Sequence, residues 1–147
     1  MAWGKKSKIF AEIREMRERI ATERVIKGEE DLNYKTRRGG LMDVEFAAQA
    51  CQMRHSLREC RTDEVLRAMA KEFPEASAVL SEGLEFWTKV EWWVRLSEGR
   101  GGSCLPQAGR NLEWLAQIVG EPDGKALMEK VRKMYARVRE AYEIVLR

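Results

Sequence analysis

The sequence predicts an all-α fold: an antiparallel helical bundle of about four long helices and two short ones, forming a single domain over residues 1–147. Apolar residues recur at intervals of three and four along most of the chain. Only three of the 147 residues are proline, and the apolar and charged fractions are 44% and 35%. This composition is typical of a soluble, helical protein that is large enough to bury a core.

The first helix is predicted over about residues 7–27, with Gly28 as its stop. Its apolar face carries Ile9, Phe10, Ile13, Met16 and Ile20. The opposite face carries charges of both signs one turn apart, and we expect it to be solvated: Glu12, Arg14, Glu15, Arg17, Glu18 and Arg19. Residues 29–38 lack helical periodicity, which indicates an extended arm with a short strand.

The second helix, over about residues 41–59, is apolar around most of its circumference, as is typical of a central, buried helix. Its polar stripe consists of Glu45, Gln49 and Gln52. These side chains need partners, because a buried polar group without one costs about 1–3 kcal/mol. Two interpretations have equal weight: a hydrogen-bonded clamp on the preceding turn, or a direct role in a functional site.

A basic segment with Lys35, Arg37 and Arg38 runs into the Gly39-Gly40 pair that precedes this helix. Adjacent glycines allow backbone angles that other residues avoid, and they let another group approach the main chain closely. Free N–H groups at the start of the helix and three nearby cations would form an anion-binding corner. The alternative is a tight turn, which physical reasoning alone favours.

Asp43 and Glu45 do not form a metal-binding pair if this segment is helical. Residues two apart diverge by about 200° around a helix, so their carboxylates cannot hold one ion together. We expect Asp43 to complement the helix N-terminus or to point toward a neighbouring domain.

The fourth helix, over about residues 75–98, carries a broad apolar stripe, with Trp92 and Leu96 nearly opposite it. We therefore expect Trp92 to be more exposed than Trp87 and Trp93. Glu91 and Arg95 have the spacing of a helical ion pair. A shorter helix is expected to begin at Thr62, which would be its N-cap, and to end at about residue 73. Another short helix is expected over residues 110–119. A last helix runs from about residue 123 to the end, and residues 99–103 are expected to be a flexible linker.

The remaining features exclude several classes of function. Cys51, His55 and Cys60 lack a fourth ligand at a zinc-binding spacing, so we expect a core thiol and a hydrogen-bonded histidine. Cysteine spacing indicates no disulfide, and no apolar run of membrane length occurs, which favours a reducing cytoplasm. The net charge of +3 comes from alternating charges and does not indicate nucleic acid binding. No set of catalytic residues is apparent.

One stretch resembles a known signature: Gly39-Gly40-Leu41-x-Asp43-Val44-Glu45-Phe46-x-x-Gln49, preceded by Lys35 and Leu32-Asn33. It is similar to the GG-[LI]-x-[DE]-[IV]-E-F-x-x-Q motif of bacterial glutamine synthetase adenylyltransferases. Met16-Arg17-x-Arg19, residues 86–96, Leu105-Pro106 and Leu115-Ala116-x-x-x-Gly120 also resemble that family. The chain departs from it at Arg37-Arg38, where Gly-Pro is usual, at Asn33, where Asp is frequent, and at Arg95, where Gln is usual.

The resemblance implies a helical fragment that follows a nucleotidyltransferase domain and is not catalytic alone. The whole enzyme attaches AMP from ATP to a tyrosine of glutamine synthetase, and another of its domains removes it. Magnesium and ATP belong to that enzyme, and this fragment is expected to bind no cofactor. Implied partners are the nucleotidyltransferase domain, glutamine synthetase and a PII-type signal protein, with no nucleic acid and no membrane.

The resemblance also implies functional residues. Lys35, Arg37, Arg38, Gly39, Gly40, Asp43, Glu45 and Gln49 would face a nucleotide phosphate or a domain interface. Lys35 is the residue most expected to meet phosphate, because the family's Gly-Pro dispenses with both arginines. Arg17 and Arg19 would face the catalytic domain. The alternative function is a free-standing helical interaction module that binds a protein partner through Trp92 and Leu96.

Overall fold

The computed structural model of the chain describes residues 2–25, 27–98 and 103–147, and the side chains of residues 8–25, 27–97 and 103–147. Its helices are α1 (Ala2–Glu23), α2 (Leu41–His55), α3 (Thr62–Met69), α4 (Pro74–Glu98), α5 (Arg110–Ile118) and α6 (Gly124–Val145). Within these ranges the one β-type pairing is an isolated antiparallel bridge between Asn33 and Cys104. The all-α prediction, with four longer and two shorter helices, is confirmed.

The centre of the core lies where α4 packs on α6, with α2 packed against both. Trp87 and Val90 of α4, Val138 of α6 and Val44 of α2 are completely buried. Gly83 lets α4 and α6 approach closely, because a Cβ atom there would lie 2.6 Å from Val138 Cγ2. The apolar residues whose helical spacing predicted α2, α4 and α6 thus pack together in one core.

Helix α1 departs from its predicted faces. Phe10, Arg17 and Ala21 are buried, whereas Ile9 and Met16 are 40% and 50% exposed. The buried residues follow the i, i+7, i+11 spacing of a single face, and this face includes a charge. Arg17 is buried because an ion pair with a buried carboxylate compensates its charge, so its predicted place on the solvated face, or facing a catalytic domain, is wrong.

Several helix ends also differ from prediction. Helix α2 ends at His55 because Ser56 adopts a left-handed conformation (φ 51°) and Leu57 N–H donates to Gln52 O at 3.1 Å. Thr62 is the first residue of α3 and not its cap, since Arg61 occupies the N-cap position. The last helix begins near the predicted residue 123, because Asp123 caps α6 by accepting a hydrogen bond from Ala126 N–H at 2.8 Å.

The segment before α2 consists of consecutive turns and makes a single bridge, so the extended conformation predicted there is wrong. It is tied to the residues before α5, because Leu105 N–H donates to Leu32 O at 2.8 Å. The linker predicted over residues 99–103 lies mostly outside the described residues.

Candidate functional site around the Gly39-Gly40 turn

The Gly39-Gly40 turn is a site of very close backbone packing. Gly39 has φ +84°, and a Cβ atom there would lie 1.9 Å from Tyr135 O of α6. A Cβ atom on Gly40 would lie 2.2 Å from Tyr34 O. The predicted close approach to the glycine main chain is therefore confirmed, and the approaching groups are carbonyls of this chain.

Three aromatic rings surround the turn. Trp87 stacks on Tyr135 with ring centroids 4.8 Å apart, and Tyr34 stacks on Trp87 at a centroid distance of 6.3 Å. Trp87 Nε1–H donates to Gly39 O at 3.2 Å, and the Tyr135 hydroxyl donates to Asp31 O at 3.0 Å. Burial raises the pKa of Tyr135, so its hydroxyl remains a neutral donor.

The N–H groups at the start of α2 are already hydrogen-bonded within the chain. Leu41 N–H donates to Tyr34 O at 2.8 Å, Met42 N–H to Lys35 O at 3.0 Å and Asp43 N–H to Gly40 O at 3.1 Å. Gly39 N–H donates to the Asp43 carboxylate at 2.6 Å. The expectation of free N–H groups at this corner is therefore wrong, because the chain's own acceptors reach them first.

Asp43 is the centre of a buried charge network. Its Oδ1 lies 2.6 Å from Arg17 Nε, and both side chains are completely buried. This contact is an ion pair without hydrogen-bond alignment. Arg139 Nη1 approaches Asp43 Oδ2 at 3.4 Å, and Arg17 Nη2–H donates to Arg37 O at 2.9 Å. Asp43 therefore caps the turn from the first helical turn of α2. Of its two predicted roles, the one at the helix N-terminus is confirmed and the outward orientation is wrong.

The pKa of Asp43 reflects two opposing influences. Burial raises the pKa because it disfavours the charged carboxylate. The positive charge of Arg17, the Gly39 N–H and the charge of Arg139 oppose this rise. Since arginine stays protonated, the folded chain keeps a cation against Asp43 at every ordinary pH.

Glu18 extends the network to the surface. Its carboxylate accepts from Arg38 Nε–H at 2.9 Å and forms an ion pair with Arg139. The hydrogen bond from Arg38 is the largest influence on its pKa, which lies below the ordinary value despite partial burial. Arg38 is therefore neutralised by a carboxylate of α1, a partner that sequence spacing did not indicate.

The two other cations of the predicted corner also have carboxylate partners. Arg37 pairs with Asp31, and its guanidinium lies 4.7 Å from the centroid of the Tyr135 ring. Lys35 Nζ lies 2.8 Å from Glu91 Oε1, and both side chains are about one-quarter exposed. Lys35 is thus paired with a residue of α4, Arg38 with a residue of α1, and Arg37 with Asp31 in the segment before α2.

Glu45 lies beside the Lys35–Glu91 pair. Burial, followed by the charge of Glu91, raises the pKa of Glu45, and Lys35 lowers it. Gln49 is exposed, and the Gln52 amide donates to Glu59 O. Among the described contacts, the side-chain hydrogen bonds to Gly39 come from Asp43 and Trp87. Of the two interpretations of the polar stripe, the clamp on the turn by Glu45 and Gln49 is therefore wrong.

The predicted partner face lies on the exposed side of α4. Trp92 and Leu96 are 66% and 69% exposed, whereas Trp87 is buried and Trp93 half-buried. The predicted order of exposure is confirmed. Arg95 Nη2 lies 3.1 Å from Glu91 Oε1, which confirms the predicted helical pair.

The residues considered for zinc have other surroundings. Cys51 is in the core, and His55 Nε2 lies 2.5 Å from Glu72 Oε2, so the predicted core thiol and paired histidine are confirmed. Within the described ranges, no three His, Cys, Asp or Glu side chains are grouped as metal ligands would be. None of the described helices combines the length and hydropathy needed to cross a membrane.

Sequence comparisons place these features in a known context. Residues 8–146 match the family model described as GlnD PII-uridylyltransferase. The bifunctional glutamine synthetase adenylyltransferase/adenylyl-removing enzyme of Caulobacter vibrioides is 36% identical to this chain, over 99% of the chain and 15% of the enzyme. The enzyme of that name from Streptomyces avermitilis is 32% identical, over 87% of the chain and 14% of the enzyme. The chain thus spans about a seventh of the length of these curated relatives.

Proposed function

The chain belongs to the family of the GlnD PII-uridylyltransferase model and of these bifunctional glutamine synthetase adenylyltransferases, and we propose that it acts as a non-catalytic helical domain of such an enzyme. In this role it supports AMP transfer to glutamine synthetase and AMP removal, in the cytoplasm. Its partners are the nucleotidyltransferase domain, glutamine synthetase and a PII-type signal protein. Magnesium and ATP bind to the nucleotidyltransferase domain.

The observation that carries this proposal is the internal use of the signature residues. Asp43 is enclosed by Arg17, Arg139 and the Gly39 N–H, so it has no face left for a magnesium ion. The Gly39-Gly40 turn is fixed by contacts with α4 and α6. A motif built in this way supports a rigid platform and not a reaction centre.

Within this role, we assign the phosphate-facing position to Lys35. Its ammonium is partly exposed and bound by one carboxylate, so it can exchange Glu91 for a phosphate oxygen. Both bonds are charge-assisted, and Glu91 keeps Arg95 as a partner after such an exchange, because Arg95 Nη2 lies 3.1 Å from Glu91 Oε1. Arg37 and Arg38, which lie on the side of the turn toward Asp31 and α1, complete the surface that meets the catalytic domain, together with Glu45 and Gln49 of α2.

The test uses the full-length enzyme that carries this domain. Lys35→Ala should lower AMP transfer about tenfold or more while leaving Tm unchanged, because it removes one charged contact to phosphate from a partly exposed position. Glu45→Gln, measured in parallel, shows whether its half-buried carboxylate serves stability or transfer. The chain alone should transfer no AMP.

Lys130→Ala is the matched control, because Lys130 of α6 forms a partly exposed ion pair with Glu121 at 3.3 Å, as Lys35 does with Glu91. It should change neither transfer nor Tm. If Lys35→Ala and Glu45→Gln lower only Tm, the corner is structural and the assignment of Lys35 is wrong. AMP transfer by the isolated chain would contradict the non-catalytic role itself.

A further inference from the structure

An apolar groove lies on the surface between the C-terminal half of α4 and α5. It has a volume of about 200 Å³ and is lined by Thr88, Lys89, Trp92, Trp93, Leu96 and Ile118. Trp114 extends it along α5, with its ring edge-to-face against Trp93 at a centroid distance of 6.1 Å. The groove is thus wider than the predicted partner face of two residues.

Four large apolar side chains along the groove are exposed to solvent. Trp92, Leu96, Ile118 and Trp114 are 66%, 69%, 49% and 45% exposed. At about 150–250 Å² for a large aromatic side chain, the two tryptophans alone leave roughly 200 Å² exposed, and Leu96 and Ile118 add to this area. Contiguous patches of this size on a small domain mark interaction surfaces.

Cations surround the groove. Arg110 lies over the Trp114 ring at 5.6 Å, Lys89 lies in the lining, and Arg95 is one turn from Trp92. The neighbouring carboxylates are shared: Glu85 pairs with Lys89, and Glu91 Oε1 is contacted by both Arg95 and Lys35. Arg110, Lys89 and Arg95 thus lie beside the groove with two carboxylates, Glu85 and Glu91, between them, which favours an acidic partner.

We propose that this groove binds an amphipathic helix with acidic flanks, supplied by another domain of the same enzyme. A groove between two helices accepts the apolar face of a third, whose anchors follow helical spacing. The chain spans only 14–16% of the length of its curated relatives, so most of each of those relatives lies outside the matched segment. A covalently connected helix is present at high effective concentration. This inference rests on the proposed function.

The experiment compares hydroxyl-radical modification of side chains in the isolated chain and in the full-length enzyme. The modification rate of Trp92 should fall about fivefold in the full-length enzyme, because a covered side chain becomes part of a desolvated interface. Met53 of α2, which is 44% exposed, is the internal reference and should keep its rate.

A double variant, Trp92→Ser with Leu96→Ser, should restore the modification of Trp114 in the full-length enzyme to its rate in the isolated chain. Met53→Ser is the control variant and should leave Trp114 protected. Circular dichroism of each variant shows whether the fold is retained. Should the double variant not fold, the wild-type comparison of Trp92 still decides the matter.

Three results would overturn the proposal. The first is equal modification of Trp92 in the isolated chain and the full-length enzyme. The second is dimerisation of the isolated chain, seen by sedimentation, that the double variant abolishes, because the occupant is then a second copy. The third is an open reading frame that encodes no further domain. If the full-length enzyme transfers AMP but Trp92 is not protected, only the docking proposal for the groove is wrong. If Trp92 is protected but the full-length enzyme transfers no AMP, only the proposed function is wrong.

Discussion

Replacement of Asp43 by alanine tests the central claim that a buried ion pair fixes the glycine turn. The change leaves the completely buried Arg17 without the carboxylate 2.6 Å away. It also leaves Gly39 N–H without its acceptor at 2.6 Å. Removing one partner of a buried ion pair costs about 3–5 kcal/mol. Since domains of this size are stable by about 5–15 kcal/mol, the variant should lose a large share of its stability.

Urea unfolding, followed by circular dichroism, measures this loss. Glu15→Ala is the control, because the Glu15–Arg19 pair is exposed at 3.5 Å and its removal should cost less than about 1 kcal/mol. Adding Arg17→Met to Asp43→Ala should recover part of the loss, since it removes the uncompensated cation. If Asp43→Ala costs no more than Glu15→Ala, the turn does not depend on this network.

Two further predictions follow from the same region. Gly39→Ala should destabilise the chain by at least ~1 kcal/mol more than Gly28→Ala. Both glycines have positive φ, but they differ in their surroundings: a Cβ atom at Gly39 would lie 1.9 Å from Tyr135 O, whereas one at Gly28 would meet no atom within 4 Å. Equal urea midpoints for the two variants would contradict this reasoning. Because Arg38 and Arg139 lower the pKa of Glu18, the folded chain binds fewer protons there, and this stabilisation is present above the ordinary pKa of 4.5 and lost as the pH falls below it. Glu18→Gln should flatten the acid side of a plot of Tm against pH, and an unchanged acid side would show that Glu18 makes no contribution.

Periodicity predicted the helices whose buried faces are apolar. The start of α2 at Leu41 and the end of α4 at Glu98 agree with the sequence, because local hydrophobic pattern and local structure coincide there. The exposure of Trp92 was predictable for the same reason. The end of α2 was not, since Ser56 takes a left-handed conformation that its residue type does not favour.

Long-range charge pairing was not predictable from the sequence. Arg17 and Glu18 stand on a stretch of alternating charges, which periodicity interprets as solvated. Arg17 pairs with Asp43, and Arg139, which is 96 residues from Asp43 and 121 from Glu18, contacts both of those carboxylates. A spacing rule for one helix contains no information about such partners. The family signature identified the right segment, but it could not show that Asp43, rather than Glu45 or Gln49, holds the turn.

The anchoring of the Gly39-Gly40 turn has a consequence for hydrogen exchange. Asp43 binds the amide of Gly39, Trp87 binds its carbonyl, and Tyr135 covers the space where a side chain would be. To open this turn, α4 and α6 must separate and the Arg17–Asp43 pair must be exposed. Both changes also occur when the whole domain unfolds. The Gly39 amide proton should therefore exchange as slowly as those at the centre of α4. On the timescale of hours, this irregular segment belongs to the most persistent part of the molecule.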